Sequence, residues 1–150
     1  MVAPVNVRFP ARVSTALNTF ASRSSRPKSA IVTQAVDEWL QLQNHPGIRF
    51  VSPVPGVRRA ALVDGPEVWS VAEAWLQYPE AERCVQSVAQ AIGLRPDQVE
   101  SALSYWADNR SEIDDLIAQI QQAQADGCAA WERRQELNQL PWRGFDCSDQ

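Results

Sequence analysis

The sequence lacks the residues from which most enzymatic and metal sites are built. Histidine occurs once, as His45, and three scattered cysteines fit neither a zinc nor a disulfide pattern, so we expect no metal and no cofactor. Glycine-rich phosphate loops and serine–histidine–aspartate sets are missing as well. No apolar run approaches the roughly 20 residues that span a membrane, and no signal peptide follows Met1. A non-enzymatic, cytoplasmic protein with no membrane contact is therefore expected.

Acidic residues are missing from the first 36 positions. Five cations lie in that stretch, namely Arg8, Arg12, Arg23, Arg26 and Lys28. From residue 51 onwards the balance reverses, with 8 arginines against 16 acids. Such asymmetry favours a polyanionic partner for the N-terminal part and a different partner for the remainder.

Residues 1–43, the head, predict one short strand and two helices. Apolar and polar residues alternate over 5–9, the period of a half-buried strand, which places Asn6 and Arg8 together on one face. Apolar residues then recur at helical spacing, and Pro27 fits the first turn of a second helix. A lone strand leaves its backbone N–H and C=O groups unpaired on both sides. A head of roughly 45 residues also buries too little apolar surface to fold alone. We therefore expect the strand to pair with its copy in an intertwined dimer.

This order of elements resembles the ribbon–helix–helix family of DNA-binding proteins, the MetJ, Arc and CopG class. The resemblance covers about residues 4–43 and rests on the alternating strand, the first-helix stripe and the start of the second helix, which are 5–9, Leu17, Phe20, Ala21 and 27–31. It implies that outward strand side chains read bases while the second helix holds a phosphate at its start. The DNA-binding residues implied in this way are Asn6, Arg8, Lys28 and Ser29. Arginine pairs well with guanine and asparagine with adenine in the major groove.

Residues 45–110, the body, predict a small α+β unit. Two short strands at 48–51 and 59–63 flank a turn, and three helices follow over 67–77, 80–92 and 96–107. The last two helices are joined by a Gly-Leu-Arg turn, a helix-turn-helix pattern. The segments 45–48, 93–99 and 102–106 carry a resemblance to the helix-turn-helix-like domain of many bacterial antitoxins. That resemblance implies a VapB-like antitoxin whose partner is a PIN-type ribonuclease toxin.

Several residues of the body carry less specific expectations. Asp97 and Glu100 at the start of the last body helix would repel phosphates, so protein recognition or plain packing is favoured there over DNA reading. We expect Arg58 and Arg59 to be a solvated strand end, with a phosphate or an acidic partner as the alternative. His45 is expected to be a loop residue.

Residues 111–150, the arm, predict one long helix and a tail. The helix is expected from Glu112 to Asn138, with Ser111 as its N-cap and a weak point at Gly127. Because its apolar stripe fades after Ile120, the helix must meet another chain or stand in water. By resemblance to antitoxins of PIN nucleases, the arm binds the toxin, and aromatics with arginine are the usual anchors. The candidate toxin-binding residues are Trp131, Trp142, Arg143 and Phe145, and the alternative is a tail that folds back on its own domain.

The sequence as a whole predicts a mainly α protein. It has a ribbon–helix–helix head, a helix-turn-helix-like body with a short β-hairpin, and a long C-terminal helix. The function that the resemblances imply is that of a type II antitoxin, a repressor that binds operator DNA and neutralises a PIN-like ribonuclease as a homodimer or a higher even oligomer. Two alternatives stay open: a free-standing ribbon–helix–helix transcriptional regulator, and a dimeric adaptor that does not bind DNA.

Overall fold

A computed structural model describes residues 5–54 and 56–139 of the chain. This part is mainly helical, with one two-stranded antiparallel sheet, which confirms the expected class. The elements are α1 (Ala11–Ser24), α2 (Lys28–Asn44), β1 (Ile48–Val54), β2 (Val57–Leu62), α3 (Val68–Leu76), α4 (Val85–Ile92), α5 (Pro96–Asp108) and α6 (Arg110–Asn138). None of the helices in these ranges combines the length and the hydropathy needed to cross a membrane.

The two helices of the head are joined by a tight turn. Ser25 caps α1 in the left-handed conformation, with φ of 52°, and its N–H donates to the carbonyl of Ala21. Pro27 stands at the N-cap of α2 with φ of −59°, the value that its ring imposes. Short polar residues and a proline thus close this turn without a glycine.

The hairpin forms one wall of the core of the body. Ile48 pairs with Leu62, and the register shifts between Val51 and Val54 near the tip. Ile48 and Leu62 are buried against α3 and α5, whereas the tip is exposed. The rest of the core comes from α3, α4, α5 and the start of α6, and its fully buried members include Val68, Val71, Val88, Val99, Tyr105 and Ile113.

The helix predicted over 80–92 is wrong as one element. A single 3-10 turn spans Glu80–Glu82, and α4 begins only at Val85. Between them Arg83 is extended, and its Nε donates to the carbonyl of Tyr78 at 3.1 Å. Gly93 ends α4 in the left-handed conformation with φ of 70°, as its position predicts.

The last helix is longer than its own core. It begins at Arg110 with Asn109 as N-cap, so the expected cap at Ser111 is wrong, because Ser111 already lies inside the helix. It continues through Gly127 to Asn138 without a break. Only Ile113 and Ile117 are buried. The residues after Ile120 are mostly exposed, and at 1.5 Å per residue they extend about 27 Å.

Candidate nucleic-acid and partner interfaces

The predicted base-reading side chains lie at the exposed start of the described chain. Asn6 and Arg8 are both exposed, in a segment without regular secondary structure that leads into α1. The strand predicted at 5–9 is therefore not formed within one chain. Because the predicted partner of this segment is a second copy, the intermolecular ribbon stays a prediction.

The start of α2 has the properties of an anion site. Lys28 and Ser29 are its first two residues, and both are exposed. The first helical hydrogen bond is donated by Ile31 to the carbonyl of Pro27 at 3.2 Å, so the N–H groups of residues 28–30 face out of the helix end. The first turn contains no acid. Free N–H groups, the helix dipole and one lysine together favour a phosphate.

An apolar groove separates α1 from α2 on one face of the head. Its volume is about 410 Å³, and its lining residues are Phe9, Val13, Leu17, Ile31, Val32, Ala35, Val36 and Trp39. Trp39 is 59% exposed and Val36 is 52% exposed. Within the two helices only Ala21 is buried. The head thus has the apolar residues of a core but leaves them uncovered in a single chain.

Phe20 departs from the stripe predicted for α1. It is 53% exposed and does not line the apolar groove that Val13 and Leu17 line. It lines a second cavity of about 800 Å³, the basic cleft, between the α1–α2 turn and the hairpin. The other lining residues are Arg23, Ser24, Arg26, Gln34, Ser52, Gly56 and Arg58.

Arg58 joins three elements, so the solvated position expected for it is wrong. Its guanidinium lies 3.4 Å from the carboxylate of Asp37, 3.3 Å from that of Glu38 and 3.7 Å from that of Glu112. Its Cζ also lies 4.0 Å from the ring centroid of Phe50. The side chain is only 22% exposed. Arg58 therefore holds α2, β1 and α6 together and is not free to contact a phosphate or a partner.

Arg59 is also engaged within the chain. It pairs with Glu67 at 3.3 Å, and the same carboxylate oxygen accepts a 2.6 Å hydrogen bond from Trp69 Nε1. His45 lies in the loop after α2, as expected, but it is buried. The partners of Arg58, Arg59 and His45 lie on other elements or across a turn, and no periodic pattern in the sequence predicts these pairs.

The phenol of Tyr105 lies next to Glu112, one of the three acids that face Arg58. Its hydroxyl donates to the carboxylate of Glu112 at 3.2 Å. Burial, and then the negative charge of Glu112, raise the pKa of Tyr105 well above its ordinary value. The phenol therefore stays neutral and serves as a hydrogen-bond donor, a structural role.

At the start of α5 two acidic side chains, Asp97 and Glu100, are exposed, whereas the side-chain amide of Gln98 is buried. Gln98 is buried, and its Nε2 donates to the carbonyl of Asp64 at 3.1 Å. Asp97 accepts two hydrogen bonds from Arg95, at 3.0 and 3.1 Å, and these lower the pKa of its carboxyl. Glu100 is exposed. These groups are poorly suited to reading DNA bases, because carboxylates repel phosphates.

One of the four candidate toxin-binding residues lies in the described ranges. Trp131 is 56% exposed on the outer half of α6, whereas Trp142, Arg143 and Phe145 lie outside the described residues. Among residues 5–54 and 56–139, no three His, Cys, Asp or Glu side chains are grouped to hold a metal ion.

Comparison of the chain with family models, curated proteins and solved structures found no match.

Proposed function

We propose that the chain is a dimeric DNA-binding repressor of the ribbon–helix–helix type that also serves as the antitoxin of a PIN-like ribonuclease. The head binds operator DNA, the body has a helix-turn-helix-like arrangement, and the arm binds the toxin. The observation that carries the proposal is the uncovered apolar groove of the head. A helix pair that leaves its core residues exposed needs a second chain to cover them.

A second copy is the occupant that suits the groove best. Phe9 lines one end of it and closes the alternating segment 5–9, so pairing that segment with its copy brings a second helix pair over the groove. Asn6 and Arg8 then lie on the other face of the two-stranded ribbon. A ribbon of this kind fits the major groove of DNA.

Charge supports DNA as the partner of the head. The first acid of the sequence is Asp37, and it pairs with Arg58. Lys28 and Ser29 add an anion site at the start of α2. Cations near DNA release counterions from the phosphates, a contribution to affinity that does not depend on sequence.

The outer half of α6 supports a protein partner for the arm. This stretch extends beyond the body with Trp131 and Leu137 exposed, although both side chains are apolar. Exposed aromatic residues on a projecting helix are typical of a surface that another protein covers. A ribonuclease toxin is the partner that the antitoxin resemblance implies.

The oligomeric state tests the dimer directly. Val36→Glu places a charge in the apolar groove, whereas Thr33→Glu places the same charge at an exposed position of α2 outside it. We expect sedimentation equilibrium to give dimers for the wild type and Thr33→Glu, and monomers for Val36→Glu. A monomeric wild type with an intact head would contradict the proposal.

DNA binding is tested by gel shift with the DNA upstream of the reading frame. Arg8→Ala is expected to cost about 1–3 kcal/mol and to relax one base position, whereas Lys28→Ala lowers the salt slope by about one on every sequence. If neither change alters DNA binding, the chain is an adaptor.

Co-expression with the product of the adjacent reading frame tests whether the chain binds a toxin. A missing nuclease there, or a nuclease that the chain does not bind, leaves a free-standing regulator.

A further inference from the structure

We propose that the basic cleft binds the phosphodiester backbone of DNA beyond the bases that the ribbon reads. This inference rests on the proposed DNA-binding function. The cleft opens at the α1–α2 turn, and Arg26 on its wall stands two residues before Lys28. A DNA strand held at the start of α2 therefore has the cleft directly beside it. The opposite wall, with Ser52 and Gly56, belongs to the hairpin of the body.

The cations of the cleft are available to a ligand. Among the described residues, no carboxylate oxygen lies within 4 Å of a charged nitrogen of Arg23 or Arg26. Arg26 is held in place by a 2.6 Å hydrogen bond to Gln34 Oε1, which fixes its guanidinium without neutralising it.

The acids behind the cleft share one cation, Arg58. Asp37 and Glu38 are the first carboxylates of the sequence, and both pair with Arg58 on the inner wall. Gln34 also donates to Glu38 at 2.6 Å. Arg58 offsets only part of the charge of these acids, so the attraction for phosphates rests on Arg23 and Arg26, which have no carboxylate within 4 Å among the described residues.

Phe20 adds an apolar surface to the lining of the cleft. Its ring is half exposed and lies outside the apolar groove that a second copy would cover. A DNA backbone alternates charged phosphates with deoxyribose faces, and proteins contact both. Two cations and one apolar ring in an open cleft of about 800 Å³ match that alternation.

The first experiment measures how the affinity for DNA depends on salt. The full chain is titrated with a mixed-sequence duplex of about 40 base pairs, because binding without sequence preference depends mainly on phosphates. Arg23→Gln with Arg26→Gln is expected to lower the slope of log affinity against log salt by about two. Arg133→Gln removes an exposed arginine on α6 and is expected to leave the slope unchanged.

A second pair of variants tests the hairpin wall, which the head alone does not explain. Ser52→Glu introduces a negative charge into the cleft, whereas Ser104→Glu introduces it at an exposed position of α5 outside it. We expect weaker DNA binding for Ser52→Glu only, and equal circular dichroism spectra for both variants.

The outcomes separate this inference from the function on which it rests. If the wild type and all variants bind DNA with equal slopes, the cleft does not hold the backbone and the inference is wrong, while the proposed function stands. If the variants lose an acidic protein partner but keep the DNA slope, the cleft is a protein site and the inference is again wrong. A wild type that binds no DNA overturns both.

Discussion

His45 Nε2 lies 3.2 Å from a carboxylate oxygen of Asp108, across the junction between α2 and the end of α5. The imidazole is buried, and its ring packs edge-on against Tyr105 with 5.2 Å between centroids. One helical turn away, Gln41 Nε2 donates to Asn109 Oδ1 at 3.1 Å. Side chains, and not the connecting loop alone, therefore join the predicted DNA-binding head to the body.

Replacing His45 tests that junction. His45→Ala is expected to lower the free energy of unfolding by about 2 kcal/mol, because it removes a buried ring and its contacts with Asp108 and Tyr105. His45→Gln retains a polar side chain next to Asp108 and should lose less. Urea unfolding measures both, with Gln43→Ala on the exposed face of α2 as the control. A His45→Ala variant as stable as that control would show that the junction contributes nothing.

Removing the charge of Arg58 leaves three carboxylates without their shared cation. Arg58→Met is expected to cost about 1–3 kcal/mol of stability, less in high salt, since ions screen the remaining repulsion. Adding Glu112→Gln removes one of the repelling charges and should recover part of the loss. Arg133→Met is the control at an exposed site. Additive losses in the double variant would argue against a shared network.

Tyr105 predicts a loss of stability at alkaline pH. The phenol has a raised pKa in the folded chain and an ordinary value near 10 when unfolded. Its contribution is therefore complete below pH 10 and falls above it by about 1.4 kcal/mol per pH unit. Tyr105→Phe should flatten this slope in urea titrations and cost about 1 kcal/mol at neutral pH. A slope that persists in Tyr105→Phe, or disappears in Tyr78→Phe, would contradict the assignment.

Two glycines, one inside a helix and one at a helix end, are expected to respond to alanine in opposite directions. Gly127 lies inside α6, and no neighbouring element comes within 4 Å of the position that an alanine methyl group would take, so Gly127→Ala should stabilise the helix by about 0.5–1 kcal/mol. Gly93 has a φ of 70°, so Gly93→Ala should destabilise the chain by about 1 kcal/mol. Urea unfolding followed by circular dichroism measures both changes in stability, and amide exchange along α6 measures the local effect of Gly127→Ala. A Gly127→Ala variant that loses helicity would contradict the observed continuity of α6.

Local patterns predicted much of the secondary structure. Apolar spacing and the turn residues placed the two head helices, the hairpin, α5 and the long α6, because each depends on residues a few positions apart. The break at Arg83 was missed, since it involves a side chain that bonds back to Tyr78. The partners of Arg58 were missed because Asp37 and Glu112 lie far from it in the sequence.

The sequence by itself determined that the head is basic and carries an apolar stripe larger than its own helices can bury. It also determined that the apolar stripe of α6 ends near Ile120, well before the helix itself ends. Only the tertiary structure decided that Phe20 lines the basic cleft and not the apolar groove. It also decided that Arg58 pairs with three acids of the same chain. Helical spacing is set within a turn or two, whereas the partner of a charge depends on which distant elements the fold brings within 4 Å of it.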